Sequence, residues 1–285
     1  MSNWRHYIAN DIEFKRFIKN GTPIEVRSEE FPCNCGVELY GEKGGMVSAI
    51  YDSNISAIRE INDYNPVFPS SPNRDIAVYN DFLLNEDITT IIVDGIFGTG
   101  KTSTLCSHLT SILCKSLRDE KYQKAYISKP HESLGKGYGH LPGELEDKVN
   151  FEFMSYYQYF DRFGQPGLAD KLVAYDILEV LVFEYLRGRD IDSGWVVLDE
   201  AQNTSVKEMV SFLSRVGDGA KLVILGDSSN YQIDKRGNNQ QNNGLFYIKE
   251  LYKNKKYVGC VELNTVSHIL RGQRVKDLYL NMKES

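Results

Sequence analysis

The run Gly95-Ile96-Phe97-Gly98-Thr99-Gly100-Lys101-Thr102, continued by Ser103, holds the side chains needed to grip a polyphosphate. Gly95, Gly98 and Gly100 carry no Cβ, so backbone N–H groups can close around phosphate oxygens. Lys101 is spaced to reach the β and γ phosphates, and Thr102 to offer its hydroxyl to Mg²⁺. Further along, WVVLDEAQN places Asp199 and Glu200 at the end of an apolar run. Asp199 there suits Mg²⁺ held through water, and Glu200 suits orienting and deprotonating an attacking water. This pairing favours hydrolysis over phosphoryl transfer, because a kinase must keep water away from the γ-phosphate. A guanine-specific site would be expected to carry an N-K-x-D run, and the nearest match, NKKY at 254–257, lacks the Asp. A third segment, LGD at 225–227 with Gln232 after it, is placed to sense the γ-phosphate if its strand lies beside that of Asp199.

These groups need a scaffold, and the pattern around them provides one. The apolar run TTIIVD (89–94) precedes the glycines, and Leu105, Leu109, Ile112 and Leu113 follow at helical spacing. Strand, glycine-rich turn and helix in that order are the context of a P-loop. Further β-branched runs, KAYIS (124–128), WVVLD (195–199), KLVILGD (221–227) and YVGCVEL (257–263), alternate with helical stretches. Such runs predict an α/β fold with a mostly parallel central sheet flanked by helices.

The N-terminal part reads differently. Trp4, Tyr7, Ile8, Ile12, Phe14, Phe17 and Ile18 sit at near-helical spacing and predict a helix over 4–18, stopped at Asn20-Gly21. VELY and MVSAIYD, joined by GEKGG, predict a hairpin, and 55–64 another short helix. Pro66, Pro69 and Pro72 form a linker, so the expected division is a small α+β module over 1–70 and an ATPase domain over 71–285. KRGNNQQNNG at 235–244 is expected as an exposed loop.

At 41% hydrophobic and 25% charged, the 285 residues have the composition of an ordinary globular protein. The net charge of -6 repels a polyanion on average and argues against a histone-like binder. From Leu245 onward, however, eight basic residues face four acidic ones. Five cysteines, an odd number, imply a reducing compartment, and with no signal peptide or membrane span in view a cytoplasmic location is expected. Cys33 and Cys35 lack the further ligands zinc requires and read as ordinary thiols.

The set GIFGTGKT, Lys129-Pro130, LPGE at 141–144, LRGR at 186–189, LDEAQN at 198–203, LSRVG at 213–217 and LGD…QID at 225–234 resembles the PhoH-like family of P-loop ATPases, related to the motor lobe of superfamily 1 helicases. The resemblance runs from about residue 72 to 280. It implies a RecA-like sheet with an extra strand between the P-loop and Asp199 strands, ATPase activity, action on RNA or single-stranded nucleic acid, and ring-shaped oligomers. By position it implies roles for Lys101, Thr102, Asp199, Glu200 and Gln202, for Arg187 and Arg189 of the RGR motif, for Arg215, and for Arg271 of the C-terminal V-R motif. This chain departs from the pattern at four of the positions compared. Ile76 stands where the family usually has a Gln suited to reading adenine, which weakens the case for adenine selectivity. Lys129 stands where Arg is common, Asp190 replaces Thr, and His268 stands where Asp is frequent. The segment from Gly226 to Gln232 is also two residues longer than usual, which leaves the reach of Gln232 open.

A superfamily 1 motor completes its site with an arginine from a second lobe, and this chain has one lobe. The expectation is therefore a homo-oligomer, a hexameric ring, with Arg187, Arg189, Arg215 or Arg271 acting across the interface. For single-stranded RNA or DNA, Lys129, Lys235, Arg236, Lys253, Lys255 and Lys256 are candidate backbone contacts. Phe151, Phe153, Tyr156, Tyr157, Tyr159, Phe160 and Phe163 suit either base stacking or core packing, and packing is the commoner use. The competing reading is an ATP-dependent switch acting on protein partners without nucleic acid.

Overall fold

The computed structural model describes residues 4–118, 123–130, 153–183, 189–229 and 232–284. Its centre is an all-parallel sheet of six described strands: β6 (Thr90–Gly95), β7 (Ala125–Lys129), β8 (Leu178–Val182), β9 (Ile191–Leu198), β10 (Val216–Gly226) and β11 (Val258–Leu263). Their order is β11-β6-β10-β9-β7-β8. Alternation along each strand sends side chains to two cores. Ile91 and Val93 face one with Val197 and Val223, while Ile92 faces the other with Leu198 and Ile224. The first core is covered by α2 (Arg74–Leu84), α3 (Lys101–Ser116), α4 (Met154–Phe163) and α5 (Leu168–Ala174). The second is covered by α6 (Val206–Leu213) and α7 (Gly244–Leu251). This is a RecA-like P-loop NTPase, with β10 inserted between β6 and β9. All five strand runs read from the sequence are present. The edge strand β8 escaped that reading.

The N-terminal module is a five-stranded sheet of order β1-β3-β4-β5-β2, with β1 (Trp4–Ala9), β2 (Ile24–Glu25), β3 (Gly36–Gly41), β4 (Met46–Asp52) and β5 (Ala57–Arg59). The hairpin β3–β4 is antiparallel as expected. Two helix expectations fail. Residues 4–9 form a strand parallel to β3, and α1 spans only Asp11–Asn20. Asn10 starts it by accepting from the N–H groups of Ile12 and Glu13. Trp4 and Ile8 are four apart, which fits either structure, and pairing with β3 decides. Residues 57–59 likewise pair with β4 and do not coil.

The module is joined to the larger unit through buried polar contacts. Arg59 grips both carboxylate oxygens of buried Asp81 on α2 at 2.7 and 2.8 Å and reaches Asp52 at 2.8 Å. Asn34 donates to the carbonyls of Lys256 and Val258. Cys33 donates to Asn254 O, and Cys35 is buried, its thiol pushed up to about 12.

Lys221 on β10 donates to the carbonyls of Phe82 (2.9 Å), Leu83 (2.9 Å) and Asn85 (2.8 Å) at the end of α2. Burial draws its pKa down to about 8, so it stays charged at neutral pH and meets the negative end of the helix. Lys221→Met is expected to strand three carbonyls and to cost about 2–3 kcal/mol. Denaturant unfolding checks this, and an unchanged midpoint would show that the cap contributes nothing.

Candidate nucleotide-binding and hydrolysis site

β6 delivers the chain into the loop at Gly95, and α3 begins at Lys101. Gly98 (φ 77°) and Gly100 (φ 91°) adopt the left-handed conformation that only glycine takes without strain. No side chain caps the start of α3, so its first N–H groups are left for an anion. Lys101 Nζ donates to the Gly95 carbonyl and, at 3.2 Å, to that of Ile96, curling back over its own loop. Thr99 ties to Ile96 O at 2.8 Å and Ser103 to Gly100 O at 3.1 Å. Thr102, half-buried in the first turn of α3, stands where a metal-binding hydroxyl belongs.

The C-terminal segment closes over this loop. Leu270 N donates to Gly98 O at 2.9 Å, and Ile269 and Tyr279 pack on Ile96, with Phe97 against them. Tyr279 lies on α8 (Gln273–Glu284). The Arg271 stem lies so close to Gly98 that a Cβ there would sit 3.2 Å from Arg271 Cδ. His268 finds Asp75 at 3.0 Å, and Trp4 donates to the other oxygen of that carboxylate at 2.7 Å. The departure at His268 is thus matched by an acidic partner on α2.

Asp199 stands buried at the end of β9. Its Oδ1 accepts from Glu200 N at 3.0 Å and its Oδ2 from the Tyr156 hydroxyl at 2.9 Å, with Lys129 Nζ 3.7 Å from Oδ2. Glu200 adopts a left-handed backbone (φ 55°), which turns it out of the strand line. Gln202 Nε2 donates to Glu200 Oε2 at 2.7 Å and to Gln232 O at 3.0 Å, and its Oε1 accepts from Asp227 N at 3.0 Å. Gln202 therefore links the ends of β9 and β10 directly. Burial, then the charge of Asp199, pushes the Glu200 carboxyl above the usual range, against the bond from Gln202 and the charges of Lys101 and Lys129. Asp227 is also raised, first by burial, against its bonds from Ser229, and its Oδ2 is buried with no hydrogen-bond partner within 3.5 Å among the described residues. The hydroxyl of Thr102 and the carboxylate of Asp199 are hard oxygen donors that fit Mg²⁺.

The remaining candidates separate. Arg189 pairs with Glu179 on β8 and lies over Tyr126, while Arg215 pairs with Asp190 at 3.1 Å, giving Asp190 a role where Thr is usual. Both precede their strands and so stand at the sheet end opposite the P-loop. Arg187, LPGE and Phe151 lie outside the described residues. Ile76 is buried in the core. Of the aromatic segment, Phe153, Tyr156 and Phe160 are core residues, and Tyr157, Tyr159 and Phe163 pack against it. Lys129 is drawn inward to Asp199 and the rings of Phe153 and Tyr156, and Lys235 pairs with Glu208. The exposed cations left are Arg236, Lys253, Lys255 and Lys256. The 235–244 loop is mostly exposed as expected, but Asn238 pins the carbonyls of Gln202 and Thr204, and Asn243 caps α7. Tyr156 as a partner of Asp199 was missed, since an aromatic run carries no mark of one hydroxyl aimed at a distant carboxylate.

A family model for PhoH-like proteins matches residues 71–283. This chain belongs to the PhoH-like family. Members are P-loop ATPase-like proteins. "Protein PhoH2" of Bacillus subtilis (strain 168) is 31% identical over 288 residues, covering 94% of this chain and 60% of that protein. A "PhoH-like protein" of the same organism is 31% identical over 172 residues, covering 60% of this chain and 53% of its own length. One from Mycobacterium leprae is 34% identical over 152 residues, covering 53% and 42%. The chain thus spans about half the length of the curated relatives it matches. No described helix of this PhoH-like chain is long and apolar enough to cross a membrane.

Proposed function

We propose that this PhoH-like chain hydrolyses ATP with Mg²⁺ and uses the turnover, as a ring of six copies, to remodel or move along single-stranded nucleic acid, RNA in preference to DNA. The observation that carries the ATPase step is Glu200, turned out of β9 beside Asp199 and held by Gln202, at the same sheet end as an uncapped P-loop. Mg²⁺ held by Thr102 and Asp199 supplies charge to offset that developing on the phosphoryl oxygens. Lys101 binds the β and γ phosphates, Glu200 takes the proton of the attacking water, and Asp227 and Gln232 report the γ-phosphate.

The arginines divide by reach. Arg271 acts on the site of its own chain, since its stem lies on Gly98. Arg189 and Arg215 stand beyond the far ends of β9 and β10, and the eight residues of β9 span roughly 25 Å. Either can serve only a neighbour's site, as a ring permits.

Burial of Phe153, Tyr156 and Phe160 weakens one support for nucleic acid and favours a second reading, a switch acting on protein partners. ATPase rate with and without single-stranded RNA separates them. Stimulation by RNA that fades steeply with added salt is expected if Arg236, Lys253, Lys255 and Lys256 track phosphates. Indifference to RNA and to single-stranded DNA would leave the partner switch.

A further inference from the structure

Asp94 is a carboxylate in an otherwise apolar strand, immediately before Gly95 and 1% exposed. Ser228 donates to it twice, from N to Oδ1 at 3.0 Å and from Oγ to Oδ2 at 2.8 Å. Lys249 on α7 donates to Oδ2 at 2.6 Å and to Glu262 on β11 at 2.9 Å. Burial works against the Lys249 charge, but Asp94 and Glu262 outweigh it and hold its pKa above the usual value. Four segments therefore meet at one carboxylate: β6, α7, β11 and the turn after β10. A buried ion pair is a poor device for stability, because apolar residues of similar volume do as well or better. It is a good device for direction, because each bond fixes a donor at a defined place.

What it fixes is the turn that carries Asp227. We propose that Asp94, oriented by Lys249, is a positioning residue whose bonds to Ser228 set the segment Asp227–Ser229 against the P-loop, so that it governs hydrolysis and not nucleotide binding. The proposal rests on the ATPase reading above. Gln202 grips the same turn from the opposite side through Asp227 N and Gln232 O, while its amide holds Glu200. Asp94 and Gln202 thus hold Asp227 and Ser228 between the P-loop strand and Glu200. If Ser228 is released, the unpartnered Asp227 oxygen shifts relative to Lys101, and Gln202 loses one of the fixed points that aim Glu200. Displacement of reacting groups by about 1 Å costs on the order of 10²-fold in rate.

The test compares Asp94→Asn, Ser228→Ala and the apolar double variant Asp94→Leu/Lys249→Met with the wild type in the full chain. Three readouts are used: kcat for ATP, affinity for a fluorescent ATP analogue, and amide exchange of residues 226–233. In Asp94→Asn and Ser228→Ala, kcat is expected to fall about 10- to 100-fold with analogue affinity within about twofold, and exchange of the turn to rise. The double variant is expected to fold at least as stably as the wild type and to remain slow. Recovery of kcat with recovered stability would reduce Asp94 to packing and overturn the proposal. Exchange of the turn unchanged in Asp94→Asn overturns it whether or not the wild type hydrolyses ATP. Faster exchange in the variants beside a wild type that does not hydrolyse ATP would remove the ATPase reading and leave the positioning role standing.

Discussion

Glu200→Gln is expected to bind ATP with affinity close to that of the wild type and to hydrolyse it about 10²- to 10⁴-fold more slowly. The amide keeps the shape of the side chain but accepts no proton from the attacking water. The phosphate grip, built from the uncapped start of α3 and from Lys101, is untouched by the change. Fluorescent-nucleotide titration and phosphate release measure the two quantities separately. Loss of both would assign Glu200 to binding. The wild type should also show an acid limb that the variant lacks. Burial, and then Asp199, raises the Glu200 pKa, and a base works deprotonated. Hydrolysis should therefore fall as pH drops through a value above the ordinary carboxylate range and hold on the alkaline side.

Arg271→Ala is expected to lower kcat by about 10³-fold, the lower end of what an arginine on a transferring phosphoryl group contributes. Its location within its own chain makes a sharper forecast. A mixture of Arg271→Ala and Lys101→Ala copies should stay inactive, because the one site type that binds nucleotide still lacks its arginine. Arg189→Ala or Arg215→Ala copies mixed with Lys101→Ala copies should regain activity if those residues act on a neighbour. Rescue of Arg271→Ala in the first mixture would instead place it across the interface.

The departures from the family pattern acquire physical reasons in three dimensions. His268 for Asp is matched by Asp75, and Asp190 for Thr receives Arg215. Lys129 for Arg loses a bidentate fork but gains the faces of Phe153 and Tyr156 beside Asp199. The long turn after Gly226 is held by Asp94 through Ser228 and by Gln202 through Asp227. Asp94 was legible only as an odd charge in an apolar run. That its partner would be Lys249, 155 residues away, was not.

The sequence alone determined the P-loop and the core strands. Glycines at fixed spacing and a lysine at a helix start act through local backbone geometry, and continuous apolar runs admit only burial on both faces. The tertiary structure decided everything that depends on which distant segments meet. Residues 4–9 became a strand because β3 offered an edge, and 57–59 because β4 did. Phe153, Tyr156 and Phe160 became core, the described candidate arginines were sorted by sheet end, and Glu200 acquired a glutamine that ties it to the neighbouring strand. Those contacts join residues tens of positions apart. No local periodicity encodes them, because their free energy comes from burial and pairing that exist only once the chain has closed on itself.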